Sequence, residues 1–131
     1  MNKACAGIVP MVNTLGLAAA QAAYSEGAAW LAAPQEYLTA NRDCLVNFVA
    51  ERLPGIRTTA PQATYLAWLD CRQAVAGSPY EFFLKTAQVA LNDGATFGPG
   101  GQGFVRLNFG CSRSRLLQAL ERMEAALRRA S

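Results

Sequence analysis

The sequence predicts an α+β domain, a short sheet with helices packed on it, and three stretches carry that reading. In residues 104–109 the alternation of side chains puts Val105, Leu107 and Phe109 on one face and Phe104, Arg106 and Asn108 on the other, the pattern of a strand buried on one side. Residues 64–71 form a second run rich in β-forming side chains. Residues 114–129 place Leu116, Leu120, Met123 and Leu127 on one stripe at helical spacing. A chain of 131 residues suits one such domain and can bury roughly two thirds of its unfolded surface.

The opening residues have the look of a secretory leader, with one lysine, an apolar stretch and Ala-x-Ala-like sites, but Pro10 and Asn13 interrupt it and no export is expected. No run approaches the roughly 18 apolar residues of a membrane span. Residues 13–24 read as a small-residue helix with Asn13 as N-cap, its alanines suited to close packing inside something larger. Residues 27–53 are helical in period and offer Trp30, Leu31, Tyr37, Leu38, Leu45, Phe48 and Val49 for burial. Pro34 interrupts them; an internal proline costs ~3 kcal/mol, which predicts a kink or two helices meeting there.

After Pro54-Gly55, residues 56–59 are expected to form a short strand and residues 64–71 a longer one. Tyr65 and Trp68 fall on opposite faces, with Tyr65 expected in the core and its hydroxyl at the edge. Ser78 caps a helix with Pro79 at its first position; it runs to about Val89 and buries Phe82, Phe83 and Val89. Residues 90–92 make a brief strand before Asp93-Gly94 turns the chain. The terminal helix is a lid on the sheet, with Glu124 and Arg128 as an i,i+4 pair and nothing that points to catalysis.

A net charge of +3 with 16% charged residues is too mild for an electrostatic nucleic-acid binder. The arginines gathered in the last helix, Arg113, Arg115, Arg122, Arg128 and Arg129, read as a solvated face with positive charge near the helix C-terminus. Cys5, Cys44, Cys71 and Cys111 are widely spaced and the chain has no histidine, which argues against zinc and against a Cys/His nucleophile. Apolar neighbours such as Leu45 and Leu69 predict buried, reduced thiols in a cytoplasmic protein.

Residues 98–105 satisfy both GxGxxG and GxGxxGxV. A dinucleotide site needs a strand before that loop and a helix starting at it, whereas here a strand follows. A kinase needs a lysine on the next strand, and no lysine occurs after Lys85. Both nucleotide readings are set aside.

Arg106 is the candidate site residue. A charge in the middle of an otherwise apolar strand needs an anionic partner, because a buried unpaired charge costs several kcal/mol. That partner is either an Asp or Glu of the protein or the carboxylate of an amino-acid ligand, which a planar guanidinium on a rigid strand behind a glycine loop would orient. Taken alone the pattern favours the structural ion pair, since such networks are common and only some are sites.

Residues 60–70 (APQATYLAWLD), 91–98 (LNDGATFG) and 104–111 (FVRLNFGC) together resemble the C-terminal part of fold-type I pyridoxal-phosphate enzymes of the class I/II aminotransferase superfamily, in the cystathionine β-lyase-like (MalY/PatB) branch. The resemblance covers nearly the whole chain. It implies the C-terminal small domain of that fold at 27–131 and a helical remnant of the large cofactor-binding domain at 1–26. It implies pyridoxal phosphate as cofactor, an amino-acid substrate whose α-carboxylate is held by Arg106, and a homodimeric parent. Asn13 would lie near the dimer interface as a secondary contact, as would Asn108 beside the arginine. Relatives usually carry an aliphatic residue where this chain has Pro34.

In the family the Schiff-base lysine, the aspartate facing the pyridine nitrogen, the ring-stacking aromatic and most phosphate ligands lie upstream of the matching segment. Lys3 and Lys85 lack the motif around the family's catalytic lysine and read as surface residues. The expected activity is therefore that of a parent C–S β-lyase, with no catalytic residue in this chain and none expected of it alone. An aminotransferase of the same superfamily is the alternative. A third reading is a non-catalytic dimerisation domain using the sheet and residues 18–23, with Arg106 merely paired.

Overall fold

The computed structural model describes residues 12–130; the leader-like start, Lys3 and Cys5 lie outside the described residues. The chain divides into two compact units, Met1–Glu36 and Tyr37–Ser131.

In the first unit, helix α1 (Thr14–Glu26) opens on Asn13, whose side-chain oxygen accepts a hydrogen bond from the Gly16 amide at 2.7 Å. That satisfies one of the free amides of the first turn, the expected N-cap role. None of the α1 residues is buried. Helix α2 (Ala28–Arg52) begins immediately after Gly27 and runs uninterrupted past Pro34. The helix is not divided at Pro34, and the break at Gly27 is the one expected between residues 24 and 27. The proline deprives only the Trp30 carbonyl of its helical donor, and Trp30 is well exposed, so water can take that donor's place.

In the second unit a three-stranded antiparallel sheet has the order β1 (Leu66–Asp70), β3 (Phe104–Asn108), β2 (Asn92–Asp93). Val105, Leu107 and the following Phe109 point into the core, as the alternation predicts. They meet Leu45, Phe48 and Val49 of α2, Leu53 just after it, Phe83, and Leu116, Leu120, Met123 and Leu127 of α4 (Arg113–Ala130). Each such side chain contributes about 1.5–3 kcal/mol on full burial. The helices thus cover one sheet face, and the other carries the candidate arginine.

Residues 56–59 do not form a strand; only Arg57 bridges to Asp70. Tyr65 is not in the core but half exposed, because β1 starts one residue later. Helix α3 (Pro79–Phe82) is capped by Ser78 as expected and continues as a π-helical turn, Phe83–Ala87, ending at Gln88 in the left-handed region. β2 begins at Asn92, where the strand expected at residues 90–92 ends.

The glycine loop is packed against itself. A Cβ on Gly101 would lie 1.9 Å from the Gly94 carbonyl oxygen, and one on Gly94 would lie 2.4 Å from that of Gly101. These glycines permit two backbone segments to touch, which accounts for their presence without a phosphate.

Candidate functional site

The antiparallel register puts three side chains in one row across the sheet: Trp68 of β1 and Asn92 of β2 are both direct partners of Arg106 in β3. Arg106 is half-buried on the face away from the core. Its Nη2 donates to Asn92 Oδ1 at 3.2 Å, and its Cζ lies 4.5 Å from the centre of the Phe97 ring. Its Nε is fully buried and has no hydrogen-bond partner.

Among the described residues Arg106 is in none of the salt bridges, although the residue pattern alone favours one. Among the described residues the carboxylates in salt bridges are engaged elsewhere: Asp43 with Arg42, Asp70 with Arg72, Glu81 with Lys85, and Glu124 with Arg52 and Arg128. Asp70 is the carboxylate on the neighbouring strand. Arg72 grips it through Nε at 2.9 Å and Nη2 at 2.7 Å, and this hydrogen bonding lowers its pKa from 3.8 to about 2. Beside it, burial pushes the Cys71 thiol up to about 12. Cys71 is buried as expected, while Cys44 and Cys111 are half-buried.

Because β2 has only two residues, β3 extends beyond it and leaves a cleft of about 410 Å³ at that edge. Arg106, Asn92, Asn108, Cys111 and Arg115 line it, over a floor that includes Leu91, Leu107 and Leu116. The structure therefore brings Asn108 to the same cleft as Arg106. Asn108 Oδ1 accepts from the Gly110 amide at 2.8 Å and so also shapes the turn into α4. Asn13 belongs to the first unit and acts there as the helix cap.

The turn after β3 is fixed by a fully buried Asn41 of α2. Its Nδ2 donates to the carbonyls of Phe109 and Cys111 at 3.0 and 2.8 Å, and its Oδ1 accepts from Arg113 Nε at 2.6 Å. The Arg113 amide donates to the Tyr37 hydroxyl at 2.7 Å. Sequence reading does not find Asn92, Phe97, Arg115 or Asn41. For Asn92, only the sheet register would have supplied the signal.

The family model described as aminotransferase class I and II matches residues 5–123. Cystathionine beta-lyase PatB of Bacillus subtilis is 40% identical over 119 residues, covering 88% of this chain and 30% of PatB. Protein MalY of Escherichia coli is 37% identical over 118 residues, with 88% and 30% covered. The solved structure of the pyridoxal-phosphate-bound C–S lyase from Staphylococcus hominis superposes with a TM-score of 0.81 at 33% identity, covering 92% of this chain and 33% of that one. The chain spans about a third of the length of these proteins. Its α+β arrangement is that of part of a fold-type I pyridoxal-phosphate enzyme. The chain belongs to the class I and II aminotransferase family, in its cystathionine β-lyase-like branch.

Proposed function

We propose that this chain is the C-terminal portion of a pyridoxal-phosphate-dependent C–S β-lyase acting on sulfur amino acids, and that Arg106 holds the substrate's α-carboxylate. One observation carries the reading: a strand-borne arginine, half-buried, with no carboxylate partner among the described residues and a buried Nε without a hydrogen bond. A guanidinium in that condition is unsatisfied until an anion reaches it, and a carboxylate matches its planar donors.

The described residues do not fit the anchoring of the cofactor itself. Their lysine, Lys85, is exposed, ion-paired with Glu81, and lines a different cleft from Arg106. In this proposal pyridoxal phosphate, whose ring serves as an electron sink when bound, is held by the remainder of the parent, in the cytoplasm and as a homodimer. Residues 1–26 represent the edge of its large domain and 27–131 its small domain, with Asn13 and Asn108 as secondary contacts. An aminotransferase parent would use Arg106 in the same way.

The test is a titration of the chain with propionate, followed at the Arg106 Nε–H resonance by NMR. A saturable shift there and at the backbone amides of Asn92 and Asn108, the amide shifts being lost in Arg106→Gln, is expected; no saturable shift in the native chain would reject the reading. The purified chain, given cystathionine and pyridoxal phosphate, is expected to release no thiol.

A dimerisation module is the second reading, favoured by the apolar, wholly exposed α1 with its alanines at 18–20, 22 and 23. It leaves the unpaired Arg106 without a role. Sedimentation of the chain as a stable dimer, unchanged by Arg106→Gln and without propionate binding, would favour it.

A further inference from the structure

Resting on the carboxylate-binding reading of Arg106, we propose that Phe97 is a positioning residue for its guanidinium, with Asn92 as the second restraint. A free arginine side chain samples many rotamers, and ligand binding must otherwise overcome the loss of that freedom. Two contacts remove much of that freedom beforehand. The Phe97 ring covers one face of the guanidinium at 4.5 Å, and Asn92 Oδ1 accepts from Nη2 at 3.2 Å.

Phe97 is half exposed and ends a single 3-10 turn, Gly94–Phe97, so its own orientation needs a support. Trp68 supplies it, meeting the Phe97 ring edge-on with centroids 5.6 Å apart and planes at 82°. Trp68 is in turn stacked on Phe104 at 5.6 Å and 17°. The aromatic row thus runs from the strands β1 and β3 to the arginine, and the sheet fixes a residue that a single 3-10 turn alone would leave loose.

The arrangement also selects which donors remain. With one face stacked and one Nη2 donor engaged, the remaining donors, the unpartnered Nε among them, are the part of the fork still to be satisfied. A planar carboxylate suits such donors. The neutral acceptor of Asn92 orients the group without neutralising its charge, whereas an aspartate at that position would compete with the ligand.

The experiment is the propionate titration of the intact chain, repeated with Phe97→Leu, Phe97→Tyr and Asn92→Ala. Phe97→Leu keeps apolar bulk and removes the flat ring; since the site is half exposed, the amide spectrum is expected to remain native. Loss of a cation–π contact of this exposure is expected to weaken propionate about two- to fivefold. The separate Nη signals of a rotationally restrained Arg106 guanidinium are expected to coalesce in Phe97→Leu, and Phe97→Tyr to restore both affinity and signals. Asn92→Ala, which removes the carboxamide and with it the acceptor for Nη2, is expected to show the same coalescence and a weaker complex.

Native affinity and native guanidinium signals in both Phe97→Leu and Asn92→Ala would overturn the positioning role while leaving the carboxylate site standing. Failure of Phe97→Tyr to rescue would also overturn it. If the native chain binds no propionate, the carboxylate site itself falls, and this inference with it.

Discussion

Asp70 and Cys71 are neighbours in sequence, yet their environments push them in opposite directions. The Asp70 carboxylate is held by Arg72, and its pKa falls from 3.8 to about 2. Its contribution to stability is therefore present above pH 3.8 and lost as the pH falls toward 2. Replacing Asp70 with Asn should remove that contribution at neutral pH, leave stability near pH 2 little changed, and so flatten the acid limb of a pH–stability curve between them. Arg72 is largely exposed, so solvent screening keeps the effect small. An unaltered acid limb would show that the pair survives unfolding or contributes nothing.

The Cys71 thiol, raised from 9.0 to about 12 by burial, stays protonated through neutral pH, and its contribution is lost only as pH rises toward 12. Iodoacetamide at pH 8 is expected to label the half-buried Cys44 and Cys111 first and Cys71 only through global unfolding. Equal labelling rates would contradict this. Arg106 shows what was legible at this scale: a period of two places it on the outer face, but its partners depend on register and on a folded-back loop. No residue pattern shows that the nearby Asp70 is already claimed by Arg72.

Between elements, two buried polar side chains call for different expectations. Asn41 joins α2 to the β3–α4 turn through three hydrogen bonds. Asn41→Ala would leave two carbonyls and an Arg113 N–H without partners, and a loss of about 2–4 kcal/mol is expected in urea unfolding. Glu124 is also buried, but its partners Arg52 and Arg128 are substantially exposed and can return to water. Glu124→Met is therefore expected to change stability by less than about 1 kcal/mol, since a desolvated carboxylate is relieved as its ion pairs are lost. A large loss would mean that the two arginines hold α2 against α4 through this anion. The sequence showed the Glu124–Arg128 pair because it is local, and missed Arg52 because it comes from a distant helix. Pro34 misled for a related reason: its cost is real but local, and exposure of Trp30 lets water meet the freed carbonyl.

Over the whole molecule, the fold class was readable because one strand and one helix carry clean periods, and burial of their apolar faces dictates a sheet covered on one side. The first unit obeys no such rule. Residues 14–26 are mostly apolar, yet none is buried, so α1 is held by alanine propensity and one cap. Isolated helices below about 12–15 residues are marginal in water. Hydrogen exchange on the intact chain is therefore expected to find near-zero protection in α1, against strong protection at Leu107, Leu120 and Met123, which lie in the buried core. Protection of α1 that rises with protein concentration would instead show it buried between copies of the chain and would favour the dimerisation reading. Low protection at every concentration fits a helix whose packing partner belongs to the remainder of the parent enzyme, and then the strand bearing Arg106 is the part of this chain whose order does not depend on that partner.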